Sequence, residues 1–183
     1  GAGAEVVAVD AATGKALAPV DRIKAHTGEG ILHQAFLTLL VEGQGENMRL
    51  LLCRRSPLKR LWGGVLADSC AGHPLPGEGV AAATARRINE ELGIMREPDE
   101  LKHLGHVVYR EDHGDGRCEC EWCEVYLARV KPGELHINQE EISEVRRVAL
   151  SELDGYLQGH PEQLAPWLRE ALSDPSIRTA LAM

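Results

Sequence analysis

The sequence predicts an α+β protein, an α/β/α sandwich with a mixed β-sheet flanked by helices. Three observations lead there. Short apolar runs of strand character recur from Glu5 to Val148, and Gly- and Asp-rich turns separate them. One Ala-rich segment, Val80–Leu92, interrupts those runs and stops at Gly93, as a helix does. Two further helical stretches close the chain. Strands interrupted and followed by helices bury their apolar faces best as layers.

Taken in order, Glu5-Val-Val-Ala-Val-Asp10 is a first strand, and Ala11–Lys15 is a turn. Ile31–Val41 is an apolar strand, and Gly43-Gln-Gly-Glu-Asn47 has the glycine chemistry of a hairpin connection to a strand at Arg49–Cys53. Ser56–Gly64 is a polar loop carrying Lys59, Arg60 and Trp62, followed by a short strand near Val65–Ala67. His103–Arg110 and Cys120–Val130 form a strand pair around the turn His113–Gly116, and Glu144–Val148 is one more strand. Ser151 is the expected N-cap of a helix to Gln158, and Glu162–Leu172 is the last helix. No repeat or linker divides residues 1–183, so a single domain is expected, its core running from about 5 to 172.

Net charge is −8, which argues against nucleic acid as a main partner. No apolar run approaches the length of a membrane span, and the start GAGAEVVAVD lacks the features of a signal peptide. The five cysteines are an odd number, three of them within Cys118–Cys123. That argues for a reducing cytoplasm rather than a disulfide framework. A monomer is the default at this size.

The densest chemical signal lies between Gly72 and Ile94. Gly72, Glu78, Arg86, Ile88, Glu90, Glu91, Gly93 and Ile94 satisfy eight of nine fixed positions of G-x5-E-x7-R-E-φ-x-E-E-x-G-φ, where φ is apolar. Such clustered carboxylates hold Mg²⁺ or Mn²⁺ against a diphosphate. Adjacent glutamates on a helix are otherwise a solvated face; the number of fixed positions favours the site. A second constellation combines His26 and His33, flanking a short loop, His73 beside the box glycine, and Glu119 and Glu121. The two carboxylates share a face if their segment is a strand. Three imidazoles and two carboxylates suit Zn²⁺ or Mn²⁺, although each histidine alone is more often an ordinary core or surface residue.

The box resembles that of Nudix hydrolases, with Arg87 where they carry glutamate. The longer run from Glu5 to about Leu172 resembles type I isopentenyl diphosphate isomerases. The matching stretches are AHTGEGILHQAF, CRRSPLKRLWGG, the Gly-His-Pro at Gly72–Pro74, ARRINEELGI, YRE, ECEWCEVY, INQEEISE and APWL. Arg86-Arg87 fits that branch. The resemblance implies a Nudix fold and metal ligation by His26, His33, His73, Glu119 and Glu121. It further implies diphosphate contacts from Arg22, Arg55 and Lys59, and a Mg²⁺ bridge through Glu91. Two cofactors follow, Mg²⁺ and one further divalent metal, Mn²⁺ or Zn²⁺. The implied reaction protonates an alkene and removes a proton from the opposite side of the cation. Glu121 with Tyr109 matches one acid/base, and Trp167 matches the aromatic face that stabilises the cation.

One departure stands out. The second acid/base of such isomerases is a cysteine directly before Gly-His-Pro, and that position is Ala71 here. The nearest thiol, Cys70, is one residue earlier, and one residue along an extended segment reverses a side chain's face unless a bulge intervenes. The expectation is therefore an isomerase-like enzyme for a short prenyl diphosphate, altered in catalysis or dependent on Cys70. Two alternatives stay open: a Nudix hydrolase, favoured by the complete Glu90-Glu91 pair and opposed by Arg87, and a catalytically silent diphosphate-binding protein. A thiolate metal site at Cys118, Cys120 and Cys123 is a weaker idea, since alternation separates Cys123 from the other two.

Overall fold

In the computed structural model, residues 5–59 and 62–183 are described. Arg60, expected in the polar loop, and residues 1–4 of the GAGAEVVAVD start lie outside them. Among the described residues, nine strands form one mixed sheet: β1 (Glu5–Val9), β2 (Ala16–Asp21), β3 (His33–Glu42), β4 (Arg49–Arg55), β5 (Leu66–Ala67), β6 (Cys70–Gly72), β7 (Lys102–Asp112), β8 (Cys118–Arg129) and β9 (Ile142–Ala149). Five α-helices among the described residues accompany them: α1 (Arg22–Ala25), α2 (Val80–Leu92), α3 (Leu153–Gly159), α4 (Pro166–Ser173) and α5 (Pro175–Ala182).

β3 organises the sheet. One edge pairs in parallel with β8 from His33↔Glu121 to Val41↔Arg129. A strand has two edges, so its remaining antiparallel partners share the other one: β1 at His33, β6 at Phe36–Thr38 and β4 at Leu40–Glu42. Where β3 passes from β6 to β4, Ser69 closes the junction. Its hydroxyl accepts the Leu40 N–H at 2.8 Å and donates to the Leu51 carbonyl at 2.6 Å, and its own N–H bonds the Thr38 carbonyl. This clamp fixes Asp68 and Cys70 on either side.

Alternation along the strands builds two apolar layers. Leu37, Leu39, Leu52, Val125 and Val148 face Trp167, Leu168 and Leu172 of α4 and Ile177 and Leu181 of α5. Phe36, Leu40, Leu51 and Cys53 face Ala83, Ile88 and Leu92 of α2. The layered α+β architecture read from the sequence is thus the one observed. The odd-numbered residues 119, 121 and 123 of β8 run down the α4 side, because side chains alternate with period two.

Several expectations about local structure are corrected. Ser151 is not an N-cap; it sits inside a 3₁₀ turn, Leu150–Glu152, and α3 begins at Leu153. The last helix does not start at Glu162, because Pro161–Gln163 is a separate 3₁₀ turn. Pro166 lacks the N–H a helix interior needs and fits the first turn, so α4 starts there. β2, α1, β6 and α5 are additional to the elements expected from the sequence.

Gly93 terminates α2 in the left-handed region, at φ 70°, and its N–H bonds the Asn89 carbonyl. A Cβ there would stand 2.7 Å from the His136 Cβ. Gly93→Ala therefore adds both backbone strain and a clash. It is expected to destabilise the fold by about 1–3 kcal/mol. The measurement is the thermal midpoint, and an unchanged value would contradict this account.

Candidate metal and diphosphate site

α1 is a single turn. The Asp21 carboxylate caps it by accepting the Lys24 N–H at 3.0 Å, and the turn presents His26 at its C-terminal end. His33 opens β3 beside Glu121 of β8, and His73 follows β6. These three histidines, Glu119 and Glu121 offer ligand atoms that all lie within 4.8 Å of one another. His26 Nε2 is 3.2 Å from Glu119 Oε2 and 3.9 Å from Glu121 Oε2. His33 Nε2 and His73 Nε2 stand 3.3 and 2.5 Å from Glu121 Oε2. Ligand atoms bound about 2.1 Å from one ion are separated by about 3–4 Å, so most of these spacings are those of a coordination shell.

Two further observations test the fit. His26 Nδ1 lies 2.8 Å from the Arg22 carbonyl and His33 Nδ1 lies 2.7 Å from the Ile31 carbonyl. A carbonyl can only accept, so each Nδ1 carries the proton and each Nε2 keeps a lone pair aimed inward. In addition, His33 Nε2 and Glu119 Oε2 are buried with no hydrogen-bond partner. Buried polar atoms are rarely left so. The donor set therefore fits a divalent cation.

The electrostatics agree. Burial pushes the His73 imidazolium down to about 4, so the ring is neutral near pH 7, as a metal ligand must be. Burial and the adjacent Glu121 carboxylate push Glu119 well above the usual carboxylate range. Burial works in the same direction on Glu121, but His73 and His33 outweigh it and hold Glu121 well below that range. Two carboxylates side by side in a buried pocket call for a positive charge between them. Glu119→Ala is expected to lower the bound divalent metal from about one equivalent to a small fraction. Elemental analysis of purified protein measures it, and unchanged metal content would remove Glu119 from the ligand set.

Tyr109 of β7 donates a short hydrogen bond to Glu121 Oε1, since the two strands pair at this position. Trp167 is buried on α4, and its Nε1–H donates to Asp68 Oδ1 at 2.7 Å. The Arg55 guanidinium lies 4.8 Å from the Trp167 ring centroid, next to a register shift at the end of β4. Arg55, Lys59, Asp68, Cys70, Ala71 and Glu91 line one cleft. Arg22 does not reach it; its side chain is exposed on α1.

The box glutamates divide. Glu78 forms a two-pronged pair with Arg86 at 2.8 and 2.9 Å, which folds the loop onto α2. Glu90 is bound by Arg86 and Arg87 at 3.2 and 2.5 Å. Only Glu91 is buried in the cleft, with Arg87 Nη2 at 2.7 Å from it. Of the three box carboxylates, Glu91 is the one that lines the cleft. Glu91 also lies outside the five-residue donor set.

Ala71 and Cys70 face opposite layers. Ala71 packs on the α4 side with Trp167, whereas Cys70 belongs to the α2 side and hydrogen-bonds Glu91. Among the described residues no thiolate group has metal-site geometry, so Cys118, Cys120 and Cys123 form no such site. Sequence reasoning missed Asp68 and Glu141, which pairs with Lys59. Neither stands out locally, because each partner lies far along the chain.

A mixed sheet between α2 and α4–α5, with this box and a buried donor set, defines a NUDIX domain, and that family matches residues 31–173. The DR0079 protein of Deinococcus radiodurans shares the fold at a TM-score of 0.67 and 19% identity, covering 96% of this chain and 98% of that one. The MutT protein of Methanosarcina mazei Go1 does so at 0.60 and 21%, covering 82% and 94%. More specific relatives share over 30% of their residues. The isopentenyl-diphosphate Delta-isomerase of Nocardia farcinica is 36% identical over 160 residues, 87% of each chain. That of Paenarthrobacter aurescens is 36% identical over 178 residues, 97% of this chain and 92% of its own. The chain belongs to the isopentenyl-diphosphate Delta-isomerase family.

Proposed function

We propose that this chain is a single Nudix domain that converts isopentenyl diphosphate to dimethylallyl diphosphate, using two divalent ions. The observation that carries the reading is the juxtaposition of the His26–His33–His73–Glu119–Glu121 set with Tyr109, which bonds Glu121 directly. His26, His33, His73, Glu119 and Glu121 would hold one ion, Mn²⁺ or Zn²⁺, and Glu91 would help hold Mg²⁺. When bound, such ions would supply fixed positive charge beside Glu121 and the phosphates. Arg55 and Lys59 bind the diphosphate from the cleft rim, and Arg22, which does not reach the cleft, takes no part.

The chain's own residues then handle the hydrocarbon. Tyr109 and Glu121 share a proton across their hydrogen bond and deliver it to the terminal alkene carbon. The tertiary cation that results rests against the electron-rich face of Trp167. Burial keeps water from quenching it. We take the enzyme to act as a monomer in a reducing cytoplasm, a reading that rests on the odd cysteine count. Among the described residues no helix is long and apolar enough to cross a membrane.

A hydrolase reading draws on Glu90, which completes the Glu-Glu pair. It is weakened because Glu78 and Glu90 are both engaged by arginines. Incubating the protein with isopentenyl diphosphate, Mg²⁺ and Mn²⁺ and following products by NMR decides. Dimethylallyl diphosphate supports the isomerase. Isopentenyl monophosphate with phosphate means hydrolysis, and binding without turnover means a silent protein.

A further inference from the structure

Double-bond migration needs a second group, one that takes a proton from the cation. The thiol expected for this is missing, since Ala71 carries no ionisable atom. Cys70 does not replace it from where it stands. It faces α2 and Glu91, and burial pushes its thiol well above the ordinary range.

We infer that Asp68 is the second proton-transfer group, working from the edge of Trp167 in place of a thiol at position 71. This rests on the isomerase reading above. Asp68 and Ala71 line the same cleft, three residues apart, and Asp68 is only 3% exposed. Its Oδ1 accepts the Trp167 indole N–H at 2.7 Å, so the carboxyl is fixed beside the ring that holds the cation. The Ser69 clamp ties its backbone to β3 and β4, so the group is held rather than mobile. Arg55 and Cys53 on β4, Glu91 on α2, Cys70 on β6 and Cys123 on β8 are the ionisable groups that act on it. Burial brings the carboxyl up to about 7, which leaves it able both to accept and to release a proton near neutrality.

The step balances. A proton passes from Tyr109–Glu121 to the terminal carbon. The C–H bond adjacent to the diphosphate-bearing carbon breaks, and its electron pair forms the new double bond. The Asp68 carboxylate takes that proton and later returns one to water, while Glu121 regains one.

The test compares metal-loaded wild-type protein with Asp68→Asn and with Asp68→Asn/Ala71→Cys, using isopentenyl diphosphate in D₂O. The asparagine oxygen can still accept from Trp167, so ring placement is preserved. Asp68→Asn should lower product formation by about 100-fold or more with little change in KM. It should still exchange deuterium into the terminal methylene, because the first proton transfer survives. Adding Ala71→Cys should recover at least about tenfold. Asp68→Asn turnover within about threefold of wild type, or no recovery with Ala71→Cys, overturns the assignment. A wild-type protein that forms no dimethylallyl diphosphate overturns the isomerase reading instead, and the inference with it.

Discussion

Replacing Glu121 with glutamine is expected to reduce turnover by roughly a thousandfold or more, the upper range for removing a general acid–base group. The Glu121 carboxylate has four partners in the site. Oε1 accepts from Tyr109, and Oε2 lies within reach of His73, His33 and His26. Glutamine has nearly the same shape but cannot hold a proton for delivery. Its NH₂ would also turn toward imidazole nitrogens or toward the cation they bind. Rate and metal content should therefore fall together, read by product NMR and elemental analysis. A Glu121→Gln protein with full metal and near-normal rate would remove Glu121 from both roles.

Asp68→Asn is expected to raise stability above neutral pH even as it removes activity. In the unfolded chain the carboxyl ionises near 3.8, but in the fold burial brings it to about 7. Between those values the folded state binds more protons than the unfolded state, so stability falls as pH rises. The destabilisation is absent below about pH 4 and fully developed above about pH 7. A gap of this size, already net of the attraction to Arg55, corresponds to at most about 4 kcal/mol, which relaxation and water penetration around a buried charge reduce. A net gain on the order of 2 kcal/mol at pH 8, vanishing near pH 4, is expected from chemical denaturation. Equal stability of the two proteins at pH 8 would mean that Asp68 ionises freely in the fold. A group that weakens its own fold in this way is characteristic of a site rather than of a scaffold.

Much of this architecture was legible in sequence because its signals are local. β3 and β4 announce themselves as apolar runs around a Gly-rich turn, and α2 as an Ala-rich stretch ending at Gly93. β2 was illegible because ALAPVD is an edge strand, exposed along nearly its whole length, with Pro19 within it. β6 has three residues, and only its pairing with β3 makes it a strand. α5 does carry a start signal, Asp174 capping the Ile177 N–H with Pro175 in the first turn. In the site, Glu119 and Glu121 could be placed on one face by alternation. Grouping them with His26, His33 and His73 rested on residue type, and the resemblance strengthened it, since no spacing rule links positions so far apart. The Asp68–Trp167 bond, across 99 residues, had no sequence signature at all.

The parallel register of His33 against Glu121 bears on how the protein matures. Two of the five donors become neighbours only once β3 and β8 have zipped together across a long intervening chain. Such a pairing is slow to form, because loop-closure entropy is lost before contacts are gained. The nascent chain thus offers no competent trap for metal until the central sheet has closed. Ion capture is a late event that locks a finished topology, and chelation should lower the thermal midpoint of mature protein without creating a partly folded species.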